Sequence, residues 1–156
     1  MGDVNWLTVG EPYVVARDSV VHAQFNAAYS FARALADGRV DLGTYQKPAI
    51  SDARILALTR ITRVVSDPAI EPTSIERARV RVTLKSGRVL ERSRETIKGS
   101  PEEPMSEDEL TGKFRTCLEF GLGAGEAQAD RLAKTIANLE DSDDAGRAIV
   151  EAFPQS

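Results

Sequence analysis

The chain has 156 residues, 42% of them hydrophobic and 28% charged, with 20 Lys and Arg against 24 Asp and Glu for a formal net charge of −4. That length fits one domain, or one and a fraction, with a buried core. The hydrophobic fraction excludes wholesale disorder, and the acidic balance argues against a nucleic-acid binder, which carries a basic excess. A single cysteine, Cys117, excludes an internal disulfide and a CxxC site, and a single histidine, His22, excludes a His-based zinc site,. No metal site is expected. There is no basic segment followed by an apolar leader, and no apolar run of about 18 residues. The expectation is therefore a cytoplasmic protein without a membrane partner, whose sequence opens as if inside a domain.

In chain order, residues 4–15 are rich in β-branched and aromatic types, which predicts a strand broken or placed at an edge by Gly10 and Pro12,. Over residues 19–37 the apolar positions Phe25, Ala28, Tyr29, Ala32 and Leu35 fall at helical spacing, with Gly38 as the stop,. A second helix is expected from Ser51 or Asp52 to about Arg60, with Ser51 as its N-cap, and then a strand over Ile61–Ser66 closed by Asp67-Pro68,. Ala78, Val80, Val82 and Leu84 alternate with Arg77, Arg79, Arg81 and Thr83. This predicts a half-buried strand, which a turn at Lys85-Ser86-Gly87-Arg88 pairs with Val89–Thr96 as an antiparallel hairpin.

Residues 99–105 form a proline-rich connector. Ser106 and Glu109 have the spacing of a capping box, with Met105 and Leu110 placed as its staple,. The helix they open carries Leu110, Phe114, Cys117 and Phe120 as its apolar stripe. Gly121–Gly125 breaks it. A further helix is marked by Ala129, Leu132, Ala133, Ile136 and Leu139, and a last one, capped by Ser142 or Asp143, ends near Phe153. Strands and helices are segregated, which predicts an α+β fold: a small antiparallel sheet with helices over residues 1–98, then the connector and C-terminal helices over 99–156.

Several features carry two readings. Gly121-Leu122-Gly123-Ala124-Gly125 precedes a helix, as a phosphate loop does, but it follows a helix where the dinucleotide fingerprint needs a strand; the plain reading is a helix–helix turn. Arg77, Arg79 and Arg81, with Arg92 and Arg94 on the return strand, suit bidentate carboxylate binding, or else form a solvated face beside Glu91 and Glu95. His22 is a candidate acid or base, or a structural residue. Cys117, on an apolar stripe, reads as a buried thiol. Glu140, Asp141, Asp143 and Asp144 read as helix N-terminal charges, without the spacing of a calcium loop.

Two stretches go further. Ala23-Gln24-Phe25-Asn26-Ala27-Ala28-Tyr29, continued by Ala34-Leu35-Ala36-Asp37-Gly38, resembles the A-x-F-S-x-x-Y…A-L-x-x-G pattern of MmgE/PrpD proteins. Gly99-Ser100-Pro101-Glu102-Glu103-Pro104-Met105-Ser106 with Glu109-Leu110 and Lys113-Phe114 is similar to that family's G-S-P-x-x-P-[LM]-S-x-x-E-L-x-x-K-F. The resemblance spans essentially the whole chain. It implies the C-terminal part of a cofactor-free enzyme of the type that includes 2-methylcitrate dehydratase, cis-aconitate decarboxylase and iminodisuccinate epimerase. In such enzymes a large helical domain and a smaller α+β lid enclose the active site, and the last helices dock on the helical domain.

The resemblance further implies a small polycarboxylate substrate, and either a homodimer or pairing with a chain that supplies the helical domain. Most of the acid, base and lysine groups belong to that domain and to a K-x-Y-P-x-C stretch not found here, so the chain is expected to be inactive alone. Tyr29 is the catalytic position that carries over, its phenol donating to a substrate carboxylate or assisting proton transfer; the other reading is a packed core tyrosine. Asn26 is the substrate-binding candidate. Phe25 stands where methylcitrate dehydratases and cis-aconitate decarboxylases tend to carry histidine, and Asn26 where serine is usual, so the chain resembles the broader membership and not those two activities in particular. A non-catalytic binding subunit is the alternative.

Overall fold

The computed structural model describes residues 1–15 and 20–153. Ala16–Ser19, where the long helix was expected to begin, lie outside the described residues. The chain divides into two compact units, Met1–Glu103 and Pro104–Ser156. Among the described residues there are eight α-helices and one two-stranded antiparallel sheet, an α+β fold.

The first unit opens with a helix, α1 (Asp3–Val9), where a strand was predicted. Its composition favours a strand, but tertiary anchoring decides. Val4 N–H donates to Pro72 O at 3.1 Å, Asn5 Nδ2 to Ile75 O at 2.8 Å and Trp6 Nε1 to Val64 O at 3.2 Å. Asp3 adds a carboxylate at the positive end of the helix,. The predicted strand over Ile61–Ser66 is also absent, because no neighbouring strand supplies a ladder among the described residues; Val64 O accepts from Trp6 instead. β-composition alone cannot provide a partner.

The predicted helix over 19–37 is two helices, α2 (Val20–Gln24) and α3 (Ala27–Asp37). The break is chemical. Asn26 leaves the helical conformation and becomes the N-cap of α3, its side chain accepting from Tyr29 N–H at 2.9 Å,. Gly38 closes α3 at φ 73°, a conformation open to glycine,. A 3₁₀ turn (Leu42–Tyr45) and a single helical turn, α4 (Lys47–Ile50) with Pro48 in its first positions, lead to α5 (Ala53–Arg60),. The N-cap of α5 is Asp52, one residue after the predicted Ser51. α3 packs on α5, and Ala23, Tyr29, Ala32, Ile50 and Ile55 form the buried core with Tyr13, Val20, Tyr45 and Leu58 packed around it.

β1 (Ala78–Thr83) and β2 (Val89–Arg94) form the predicted hairpin, with Val82 opposite Leu90 and Arg81 opposite Glu91. Two expectations fail here. The hairpin is not half-buried: both strands are exposed along most of their length, Val80 and Leu90 at 38% each. Nor do Arg92 and Arg94 join the Arg77–Arg79–Arg81 face. Opposed residues in an antiparallel pair project to the same side, so Arg92 opposite Val80 and Arg94 opposite Ala78 share the apolar face.

The second unit holds α6 (Glu107–Leu122), α7 (Glu126–Ala137), a 3₁₀ turn (Leu139–Asp141) and α8 (Ala145–Ala152). The capping box forms as predicted: Glu109 N–H donates to Ser106 Oγ at 3.2 Å and Ser106 N–H to Glu109 Oε2 at 2.7 Å. Gly123, at φ 64°, ends α6. α8 takes Asp144 as N-cap, not Ser142 or Asp143, because only the Asp144 carboxylate meets Arg147 N–H, at 2.9 Å. α7 packs on both α6 and α8, with Ala129 and Leu132 buried. No residue of α6 is buried, and Leu110, Phe120 and Leu122 are each about half exposed. Cys117 is exposed as well, against expectation: helical spacing identifies a stripe but not whether anything covers it,. No helix of the described residues is long and apolar enough to cross a membrane.

Candidate functional site

The two site residues read from the sequence lie one helical turn apart at the start of α3. Asn26 is 1% exposed; its amide oxygen caps the helix, while Nδ2 donates to Glu11 O at 2.7 Å. Tyr29 is fully buried. Its hydroxyl donates to Thr44 O at 2.6 Å and accepts from Arg33 Nε at 3.1 Å. Tyr13 tilts against the Tyr29 ring at 4.7 Å and Tyr45 at 6.0 Å, within the range of attractive aromatic pairing. His22 stacks on Tyr13, with centroids 5.4 Å apart and 7° between the planes. Phe25, by contrast, points outward.

Arg33 is the residue that the sequence reading missed. Its side chain is 8% exposed and is surrounded by acceptors: Tyr29 Oη, Asp37 Oδ2 at 2.9 Å, Ala49 O at 2.5 Å and Asp52 Oδ2 at 3.5 Å. Arg54 closes the network from outside, at 2.7 Å from Asp37 and 3.6 Å from Asp52. Two guanidinium groups and two carboxylates thus tie α3 to the segment that opens α5. A signal was present: Tyr29, Arg33 and Asp37 follow one another at i, i+4 spacing, so a cation on the inward stripe has a phenol one turn before it and a carboxylate one turn after.

The electrostatics follow from this geometry. Burial pushes the Tyr29 phenol above its ordinary value, while the hydrogen bond and charge of Arg33 pull it back,. Burial also opposes the charge of Arg33, but its bonds to Tyr29 and Asp37 prevail and raise it. The Arg33 bond holds the Asp37 carboxyl below its usual range, against burial and with help from Arg54. Tyr29 is thereby kept as a neutral donor whose proton is committed to a backbone carbonyl.

The remaining candidates resolve by position. Arg81 meets Glu91 at 2.9 Å, Arg77 meets Glu95 at 3.1 Å and Arg79 meets Asp67 at 3.6 Å, which is the solvated-face reading. Gly121 and Leu122 belong to α6 and Gly125 is the N-cap of α7, which makes the glycine-rich stretch a helix–helix turn. Among the described residues no three His, Cys, Asp or Glu side chains converge as metal ligands. A shallow, mostly apolar groove of about 440 Å³ lies between α1 and Val64–Ser66, lined by Trp6, Leu7 and Val65 among others. It includes no member of the Tyr29–Arg33 network.

The family model of the MmgE/PrpD C-terminal domain matches residues 3–140 of the chain. That span contains Asn26, Tyr29, Arg33, the hairpin and the connector. No curated protein matches the chain.

Proposed function

The chain belongs to the MmgE/PrpD family, whose C-terminal domain its residues 3–140 match, and from that premise we propose that it forms the C-terminal part of a cofactor-free lyase or epimerase acting on a small polycarboxylate in the cytoplasm. The family match is the observation that carries this reading. The reaction begins with removal of the proton next to a carboxylate. Hydroxide then leaves as water, or a proton returns to the opposite face; in a decarboxylase no proton is removed first, and the C–C bond pair that departing carbon dioxide leaves on carbon is protonated instead. Cations and amide donors must hold the carboxylates and the developing enolate charge. Most of these groups would come from a helical domain, so the chain would be inactive alone and would complete its site in a homodimer or with a helical-domain chain. The open apolar side of α6 supports that incompleteness, since exposed apolar surface of this kind marks a docking face,. Ile136 and Phe153 are also about half exposed, whereas Leu132 is buried in the second unit's own core.

In this reading Tyr29 donates to a substrate carboxylate and Asn26 contributes to substrate binding. Tyr29 reaches a substrate only by exchanging its bond to Thr44 O. The full occupation of its hydroxyl favours a second reading, a non-catalytic binding subunit that completes a site on a separate helical chain. The test is an alkene-absorbance assay with citrate, methylcitrate and related hydroxy acids, on the purified chain alone and mixed with the helical chain encoded nearest to it. Turnover in the mixture that falls with Tyr29→Phe supports the catalytic role. Turnover that Tyr29→Phe leaves unchanged supports the binding subunit. Turnover by the chain alone overturns the claim that it needs a partner.

A further inference from the structure

Asp37 is the last residue of α3 and is followed by Gly38. An aspartyl residue before glycine is open to attack by the backbone, because glycine carries no side chain to shield its nitrogen. In that reaction the Gly38 nitrogen bonds to Asp37 Cγ, and the hydroxyl of the protonated carboxyl leaves with the amide proton as water. The product is a cyclic succinimide, to which water then adds. Opening at the original peptide carbonyl breaks its bond to nitrogen and leaves the chain running through Cγ, as an isoaspartyl residue. Opening at Cγ restores aspartate. One water is lost and one regained, so the conversion needs no other reactant and leaves the mass unchanged.

The structure opposes each requirement of this reaction. Gly38 N–H donates to Ala34 O at 3.0 Å, which engages the attacking nitrogen in the end of the helix. Both oxygens of the Asp37 carboxylate are gripped, Oδ2 by Arg33 at 2.9 Å and Oδ1 by Arg54 at 2.7 Å. The Arg33 bond, joined by Arg54 against the effect of burial, holds the carboxyl below its usual range, and an ionised carboxylate has no hydroxyl to expel. The position is nevertheless open to water. The Asp37 side chain is 29% exposed, and nothing lies within 4 Å of the place a Cβ on Gly38 would take. Helix ends fray more readily than cores, so the grip on the carboxylate is what remains when the Ala34 bond opens. We propose that Asp37–Gly38 is a latent isoaspartate site, kept silent by the two-point hold of Arg33 and Arg54 on the Asp37 carboxylate. The conversion would reach Tyr29. It inserts a methylene into the backbone and moves the free carboxylate onto Cα, so Arg33, which donates to Tyr29 Oη, loses its partner at i+4. No reaction assigned to the chain is involved, and the test uses no substrate.

The full chain is stored warm at neutral pH for weeks. Isoaspartate is located by peptide mapping, by methylation with an isoaspartyl methyltransferase and by lost cleavage with an aspartate-directed protease. A synthetic peptide of Ala34–Asp41 gives the unprotected rate. The parent chain should convert at least about tenfold more slowly than the peptide. Arg54→Ala, whose side chain is largely exposed, should keep the parent's circular dichroism spectrum and convert at least about threefold faster than the parent. Arg54→Lys should return most of the protection. Asp37→Glu, which would have to close a larger ring, should remove the signal and so assign it to this site. A parent chain that converts as fast as the peptide, an Arg54→Ala variant at the parent's rate, or a signal that survives Asp37→Glu overturns the proposal.

Discussion

Arg33 and Arg81 are the same residue in opposite circumstances. Arg33 sits on the inward stripe of α3 with its side chain 8% exposed, and it bonds a phenol, a backbone carbonyl and two carboxylates. Arg81 lies on an open hairpin, its side chain 65% exposed, facing one glutamate. Both make an ion pair of 2.9 Å. Distance therefore does not separate them. What differs is the cost of leaving the partners behind. Removing a largely buried charge strands groups that water cannot reach, while removing an exposed one returns its partner to solvent.

The sharpest test of that contrast is Arg33→Ala. It should lower unfolding stability by about 3 kcal/mol, since Tyr29 Oη and Ala49 O lose their donor and Asp37 and Asp52 keep only Arg54. Urea denaturation monitored by circular dichroism would measure it, and a loss as small as that of an exposed pair would erase the distinction. Asn26→Ala should come next, at about 2 kcal/mol, because one side chain both caps α3 and satisfies Glu11 O,. Its midpoint should fall without a change in denaturant dependence.

The same network predicts a pH signature. The folded-state pKa of Asp37 is lowered, so the unfolded chain binds the proton more readily. The stability contributed by the Asp37 carboxylate is thus fully present above the ordinary carboxylate range and is lost as pH falls through the folded value. Glu103, held low by Arg94 and then Thr96, has the same sign. Asp37→Asn should reduce stability at neutral pH and flatten the acid limb of the stability curve. An acid limb parallel to that of the parent chain would show that Asp37 is not the linked group.

These regions also differ in how far they could be read from sequence. Ser106 and Glu109 specify a capping box within four residues, and the alternation over Ala78–Thr83 with its glycine turn specifies a hairpin within twenty; both formed as expected. What failed depended on distant partners. α1 became helical because Pro72, Ile75 and Val64 offer acceptors to residues some seventy or sixty positions away. Ile61–Ser66 lacks a neighbouring strand, and Cys117 lacks a cover. At the candidate site, Asn26 and Tyr29 come from the family pattern, while Arg33 escaped because the helix was read from its apolar positions alone, and a cation on the inward stripe does not register in that pattern. The face assigned to Arg92 and Arg94 was an error of register, which a sequence does not fix until the turn is known.

The smallest predicted effect belongs to the hairpin. Arg81→Ala should change stability by no more than about 0.5 kcal/mol, the usual scale of an exposed pair. Its partner Glu91 also lies 3.9 Å from Arg79, so a second cation remains nearby when the first is removed. A double-mutant cycle with Glu91→Ala should therefore give a coupling of no more than about 0.5 kcal/mol, the scale of an exposed pair, and less at high salt. The hairpin arginines would then have little to do with holding the monomer together. A coupling as large as the Arg33 effect would require the hairpin face to be covered in solution.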